Sequence, residues 1–430
     1  MSVVTLAVVG AGSRGTNYAD WALAHSDRAR VVAVAEPRTT RRDTFAATHD
    51  IDQVYPDWRD LVTGAGGAEV AAGRRDGRIA DAVVIATQDA MHLEPALAFA
   101  EQGYHILLEK PIAPTAAECQ QIVAAVEQAG VLFAVGHVMR YTPYTGAVKA
   151  VVDSGRLGDL VSVQHLEPVG YWHQAHSFVR GNWRNEAESA PMLLAKSCHD
   201  LDWLRYVMGR PIRRVSSFGS LTHFTPANRP AGAADRCLDC AVEPECAYSA
   251  PRLYGDRLRT GRHGWPLKVV VDEPTEQALD DALRNGPYGR CVYACDNDVV
   301  DHQVVCMEFD GGLTGTFTMT AFTAEGLHRQ TRIFGTRGEL IGDGSTVRVH
   351  DFLSGATEVI DADGGGDATA GGGHGGGDGG LMDAFVRAVA SGDARHILSG
   401  PDETLNSHLA VFAAEHARRS GTVVTVANGS

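Results

Sequence analysis

The chain has 430 residues, 44% apolar and 21% charged, which suits a two-domain globular protein and excludes disorder. Its 38 basic and 53 acidic side chains give a net charge of −15 with no local basic patch, so nucleic acid is excluded as a partner. No apolar run approaches the ~20 residues of a membrane span; the chain enters an apolar strand without a basic leader, so a cytoplasmic setting with reduced thiols is expected.

Short apolar runs at 3–9, 31–35, 82–86, 106–108 and 131–135 alternate with helical patterns. Runs apolar throughout are strands covered on both faces, so residues 1–137 are predicted to form an α/β, doubly wound parallel sheet of the Rossmann type, a dinucleotide-binding domain. Beyond that point 158–167, 212–222, 299–309 and 313–322 alternate apolar and polar residues, clearly in the last and partly in the third. Alternation marks one covered face, so residues 138–430 are predicted to be an α+β substrate domain with a mostly antiparallel sheet. Asp310-Gly311-Gly312 reads as a hairpin turn. Residues 223–297, rich in Pro, Arg and Cys, read as an insertion. The glycine tract 364–380 reads as a surface loop whose His374 and Asp378 can close over a substrate.

Gly10-Ala11-Gly12-Ser13-Arg14-Gly15 follows the first strand and opens a helix. Gly10 permits the tight turn, Gly12 lets backbone approach a pyrophosphate, and Gly15 lets helix and strand pack closely. Ser13 and Arg14 stand at the helix N-terminus, which favours an anion. Glu36 ends the second strand, 21 residues after Gly15. A carboxylate there bonds the adenine ribose hydroxyls and favours NAD; Arg38, two residues on, leaves NADP as the lesser option.

With Ala86-Thr87, His92, Glu109-Lys110-Pro111, His199-Asp200-Leu201-Asp202 and Phe334-Gly335-Thr336-Arg337-Gly338-Glu339-Leu340, the chain resembles the glucose-fructose oxidoreductase / inositol dehydrogenase (Gfo/Idh/MocA) family. The resemblance implies a nucleotide domain, a second domain with a large open sheet, and a nicotinamide cofactor in the cleft between them, contacted also by Thr87, His92, Glu109 and Lys110. It implies hydride transfer at a hydroxyl-bearing carbon of a sugar, sugar acid or cyclitol, and a homo-oligomer, dimer or tetramer, built through the sheet face. A redox glycosidase, which oxidises a ring carbon transiently and eliminates the aglycone, is the alternative.

Lys110 follows a buried strand at the carboxyl edge, where a partly desolvated ammonium can share a proton with a hydroxyl. His199 matches the histidine of the family's Asp-x-x-x-His pattern, its usual acid/base, and titrates near neutrality. The aspartate of that pattern is replaced by Ala195, with Lys196 next; Asp200 and Asp202 are candidate substitutes. The segment 171–184, with His176, Arg180, Trp183 and Arg184, carries the rings and donors of a carbohydrate site. Tyr141 is expected to face the same cleft. Convergence of Arg180, Arg184 and Lys196 would suit an acidic substrate.

Cys237-x-x-Cys240 and Cys246, with Cys291 or Cys295 as a fourth ligand, suggest a structural zinc stapling the insertion. Cys119, Cys198 and Cys306 are expected to be buried small apolar groups.

Overall fold

The computed structural model describes residues 3–63, 77–324, 328–362 and 375–427. Its first sheet is six-stranded: β1 (Val4–Val9), β2 (Ala29–Ala35), β3 (Gln53–Tyr55), β4 (Ala82–Ile85), β5 (His105–Leu108) and β6 (Phe133–Val135), in the order 3-2-1-4-5-6. Every pairing is parallel. The winding reverses between β1 and β4, and their carboxyl ends open the crevice where such sheets hold ligands. β4 is buried along its whole length, which explains its unbroken apolar run. β3 escapes pattern reading because it spans only three residues, with Val54 exposed.

The second sheet has nine strands: β7 (Leu160–Pro168), β8 (Ile212–Ser220), β9 (His302–Phe309), β10 (Thr314–Thr320), β11 (Gln330–Gly335), β12 (Gly338–Gly342), β13 (Thr346–Asp351), β14 (Thr357–Asp361) and β15 (Val424–Thr425). Their order is 14-13-12-11-7-10-9-8-15. The β7–β10 pairing is parallel and the others are antiparallel. Gly311 and Gly312, at φ 81° and 82°, make the turn between β9 and β10, a conformation open to glycine at little cost. In β10, Gly315, Phe317 and Met319 point inward and Thr314 and Thr316 outward. The same alternation corrects one expectation. Cys306 sits at an outward position of β9 and is exposed, whereas Cys119 and Cys198 are buried.

Two late helices tie the halves together. Gly377–Ser391 returns to the first sheet, where Leu381, Met382, Phe385 and Val386 join Val4, Leu6 and Val34 in one core. Full burial of such side chains contributes about 1.5–3 kcal/mol each. Pro401–Ser420 packs against β8, against the helix Ala116–Ala129 of the first domain, and against the helix Cys198–Met208 of the second. The insertion has a small core of its own, with Ala250, Tyr254, Leu267 and Leu283 buried.

Candidate active site

The turn after β1 is shaped for a dinucleotide. A Cβ at Gly10 (φ +98°) would lie 2.6 Å from the Ala86 carbonyl oxygen, and one at Gly15 only 2.0 Å from that of Gly10. At Gly12 a Cβ would meet nothing within 4 Å. The two tight positions hold strand and helix together while the middle one faces open space, the division of labour a pyrophosphate cradle requires. The helix Ser13–Ala24 starts here, and no described side chain caps its first amides. Those N–H groups are free to bind phosphate oxygens.

Glu36 is 2% exposed at the end of β2. Its carboxylate accepts from the Ala11 amide at 3.0 Å and from the Arg38 side chain at 2.7 Å. Burial pushes its pKa up, but the Arg38 and Ala11 bonds outweigh it, so Glu36 stays ionised. Arg38 is engaged in holding Glu36.

Arg14 is engaged by neighbouring side chains. It bonds Glu109 at 2.7 Å and the Tyr18 hydroxyl at 2.6 Å, and it pairs with buried Asp378. Tyr18 donates in turn to Glu109 at 2.5 Å. The partly exposed Arg14 and the buried Tyr18, Glu109 and Asp378 form one hydrogen-bonded knot at the nucleotide turn. Asp378 thus sits under the cofactor cradle, not over the substrate; His374 lies outside the described residues. His92 is fully buried and braces two loops, bonding the Pro111 carbonyl at 2.9 Å and reaching that of Thr87 at 3.4 Å.

Lys110 leaves β5 and donates from Nζ to the main-chain carbonyl of Ala195 at 2.9 Å. Ala195 ends the short helix Met192–Ala195, and His199 stands in the first turn of the next, Cys198–Met208. The ammonium from one half therefore meets the segment carrying the imidazole of the other. His199 is buried at 6% exposure and packs edge-on against His137, ring centroids 5.6 Å apart.

Both candidate replacements for the missing aspartate are engaged in ion pairs of their own. Asp200 is held by Arg329 and by His165 at 3.1 Å; Asp202 forms a two-pronged pair with Arg140 at 2.7 Å. Lys196 pairs with Glu167 at 3.0 Å, and Glu167 is also bonded by Arg329 at 2.9 Å. The charge of Lys196 is thus balanced beside the position the aspartate would occupy. Glu167, Arg329 and His137 carry no signal in the sequence, because their partners lie far along the chain; Arg140, expected beside Tyr141 at the cleft, is instead taken up by Asp202.

The expected cation cluster does not form. Arg180 is buried and bonds the carbonyls of Arg290 at 2.7 Å and Tyr248 at 2.8 Å. Arg184 is clamped by Asp296 at 2.9 Å and by Glu188. Arg180 bonds main-chain carbonyls, Arg184 bonds Asp296 and Glu188, and Lys196 bonds Glu167, so the three cations do not converge on one anion. Tyr141 bonds Ser399 at 2.9 Å and accepts its amide at 3.1 Å, a brace between segments. Trp183 donates to Asp89 at 3.2 Å. Part of this region, Gln174–Arg180, is a π-helix. His176 bonds the Tyr254 hydroxyl at 2.8 Å and stacks on Tyr288, so it packs against the insertion.

An unexpected aromatic wall rises beside these residues. Trp265 of the insertion is half exposed, 5.2 Å from the Trp172 ring and 4.8 Å from that of His173. Desolvation, then the charge of Lys196, holds the His173 pKa well below the usual histidine value. The wall's one sequence signal is a tryptophan in a polar, Gly/Pro-flanked loop. Among the described residues no three His, Cys, Asp or Glu side chains are assembled as a metal-binding group, so the expected zinc site is not preformed. No described helix is long and apolar enough to cross a membrane.

Comparison with known proteins agrees with this architecture. Residues 4–137 match a family model described as an oxidoreductase family, NAD-binding Rossmann fold, and residues 149–426 its C-terminal alpha/beta domain. The chain is 26% identical over 203 residues to 2,7-anhydro-N-acetylneuraminate hydratase of Escherichia coli (strain K12), covering 47% of this chain and 51% of that protein. It is 26% identical over 265 residues to the NAD(+)-dependent scyllo-inositol 2-dehydrogenase of Bacillus subtilis (strain 168), covering 60% and 70%. The chain spans about half the length of the two hydratases it matches, 51% and 53%. In structure it resembles levoglucosan dehydrogenase in complex with NADH, at TM-score 0.69, 17% identity and coverage of 99% and 100%. It also resembles an Agrobacterium radiobacter oxidoreductase in complex with NAD+, L-tartaric acid and magnesium, at TM-score 0.70, 15% identity and 99% of each chain. With both family models matched in order across a parallel nucleotide sheet and a nine-stranded partner sheet, the chain belongs to the Gfo/Idh/MocA oxidoreductase family.

Proposed function

We propose that the protein is an NAD-dependent oxidoreductase acting at a hydroxyl-bearing carbon of a sugar, sugar acid or cyclitol. The observation that carries this reading is the Lys110 Nζ bond to Ala195 beside the His199 helix, at the carboxyl edge of the nucleotide sheet. When bound, NAD⁺ supplies a hydride acceptor. The residues do the rest. The Gly10–Gly15 turn seats the pyrophosphate and Glu36 the adenine ribose. Lys110 Nζ orients the substrate hydroxyl and shares its proton, and the buried His199 imidazole accepts it. The Trp265 wall offers ring faces to the apolar side of a sugar. NADH formation measured across neutral sugars, uronates, inositols and anhydrosugars tests the reading; no turnover of any, with NAD still bound, overturns it.

A second reading, the redox glycosidase, is favoured by one observation: the relatives named 2,7-anhydro-N-acetylneuraminate hydratase. Release of product from a glycoside or anhydrosugar without net NADH would establish it.

We also propose a cytoplasmic homo-oligomer assembled through the second sheet. Phe218, Ile341 and Val359 lie exposed on its outward face, which supports a subunit contact there. Sedimentation of the purified chain tests it.

A further inference from the structure

We propose that Cys237, Cys240, Cys246 and Cys291 bind one thiophilic divalent cation, zinc, as a closed four-thiolate site fixing the insertion to the substrate domain. All four thiols line one cavity of about 20 Å³. An antiparallel bridge between Arg236 and Arg290, with the Cys291 amide bonded to the Asp235 carbonyl at 2.8 Å, sets Cys237 beside Cys291 across 54 residues of sequence. Tight turns at Cys237–Asp239 and Glu243–Glu245 deliver Cys240 and Cys246 to the same place.

Arg180 supplies the second, independent observation. It lines the same cavity, is 1% exposed, and places Nη2 3.5 Å from the Cys237 sulfur. Its Nη1 has no hydrogen-bond acceptor among the described residues, and no described carboxylate pairs with it. A guanidinium buried without an anion is costly. Four thiolates around one divalent ion leave two negative charges, which would compensate it. With protonated thiols there is no such charge.

Cys295 is not among the cavity-lining residues; its thiol donates to the Cys291 carbonyl at 3.2 Å. The four sulfurs are not yet gathered into a coordination group, so rotation of the thiols toward the shared cavity accompanies binding. Four S–H bonds are exchanged for four sulfur–metal bonds, and four protons leave; no electron is transferred.

The full-length chain, purified without chelator, is assayed for zinc by mass spectrometry and by mercurial titration with a chromogenic indicator. One zinc per chain is expected, falling well below half in C240S and C246S and unchanged in C295S and C306S. Cobalt(II) exchange into the unmutated protein guards against variants that misfold; intense sulfur-to-metal charge transfer with tetrahedral ligand-field bands is expected. A chain with no tightly held zinc and no such cobalt spectrum overturns the proposal. So does a disulfide among the four cysteines in freshly purified protein, or loss of zinc from C295S with retention in C240S.

Discussion

The Lys110 ammonium donates to the Ala195 carbonyl across 2.9 Å, joining the end of the fifth nucleotide-sheet strand to the segment that carries His199. A main-chain oxygen thus stands at the residue where the family pattern has an aspartate. A carbonyl positions the amine without adding a negative charge near the imidazole.

Removing that amine separates chemistry from binding. Lys110→Met and His199→Asn are each expected to lower kcat by about 10²- to 10⁴-fold, the usual contribution of a positioned acid or base. NAD affinity, followed by fluorescence titration, is expected to stay within a few-fold. A kcat that survives both substitutions would place the proton transfer elsewhere.

The glycines of the nucleotide turn are expected to fail in different ways. Gly12→Ala meets no neighbour within 4 Å, so stability should shift by no more than about 0.5 kcal/mol while NAD binding weakens tenfold or more. Gly15→Ala forces a Cβ to 2.0 Å from the Gly10 carbonyl and should cost about 1–3 kcal/mol. Urea unfolding and NAD titration of the two variants separate fold from function.

Glu36→Ala frees Arg38, which now bonds it at 2.7 Å. Loss of a charged hydrogen bond to the ribose, about 1.5–3 kcal/mol, predicts roughly 10- to 100-fold weaker NAD binding. NADP affinity is expected to rise, because the freed guanidinium can meet a 2′-phosphate. Titration with both cofactors checks the crossover.

Trp265→Ala should raise KM several-fold, in line with the about 0.5–1.5 kcal/mol of an aromatic contact, and leave the NAD dissociation constant unchanged. Trp265→Phe should recover part of the loss. An unchanged KM for every accepted substrate would remove the insertion from the substrate site.

Histidines held neutral, among them His137, His176 and His408, shape the response to acid. Burial pushes His137 down to about 3 against the opposing Asp202 carboxylate, burial with Arg180 and Arg257 pushes His176 down to about 3, and burial pushes His408 down to about 4. Unfolded, each titrates near 6.5. Their native neutrality therefore contributes stability that is complete above pH 6.5 and is lost as pH falls toward 4, because only the unfolded chain takes up the protons. The slope is up to about 1.4 kcal/mol per pH unit for each histidine. Asp202, lowered to about 2 against burial by Arg140, adds to the loss only below about pH 4. Urea midpoints at pH 7, 6, 5 and 4 measure the first window.

What the sequence discloses follows from the range of the interactions. The Gly10–Gly15 turn, Glu36, and the strand ending at Lys110 are each set by a few consecutive residues, and their patterns are legible. Arg180 and Arg184 look like substrate ligands because a guanidinium in an aromatic segment has no visible partner. Those partners, Arg290 and Asp296, lie more than a hundred residues away. Trp265 is illegible for the same reason: only the folded insertion brings it to His173. Cys306 is missed because β9 alternates imperfectly, and its face is fixed by the neighbouring strands.

The helix that Asp378 opens lays Leu381, Met382, Phe385 and Val386 into the core of the nucleotide sheet. A fragment ending at residue 137 would expose that flank to water and leave Arg14 one carboxylate short. The dinucleotide half is contiguous in sequence but not autonomous, so gene dissection at the apparent boundary should yield an aggregating fragment and not a transplantable cofactor module.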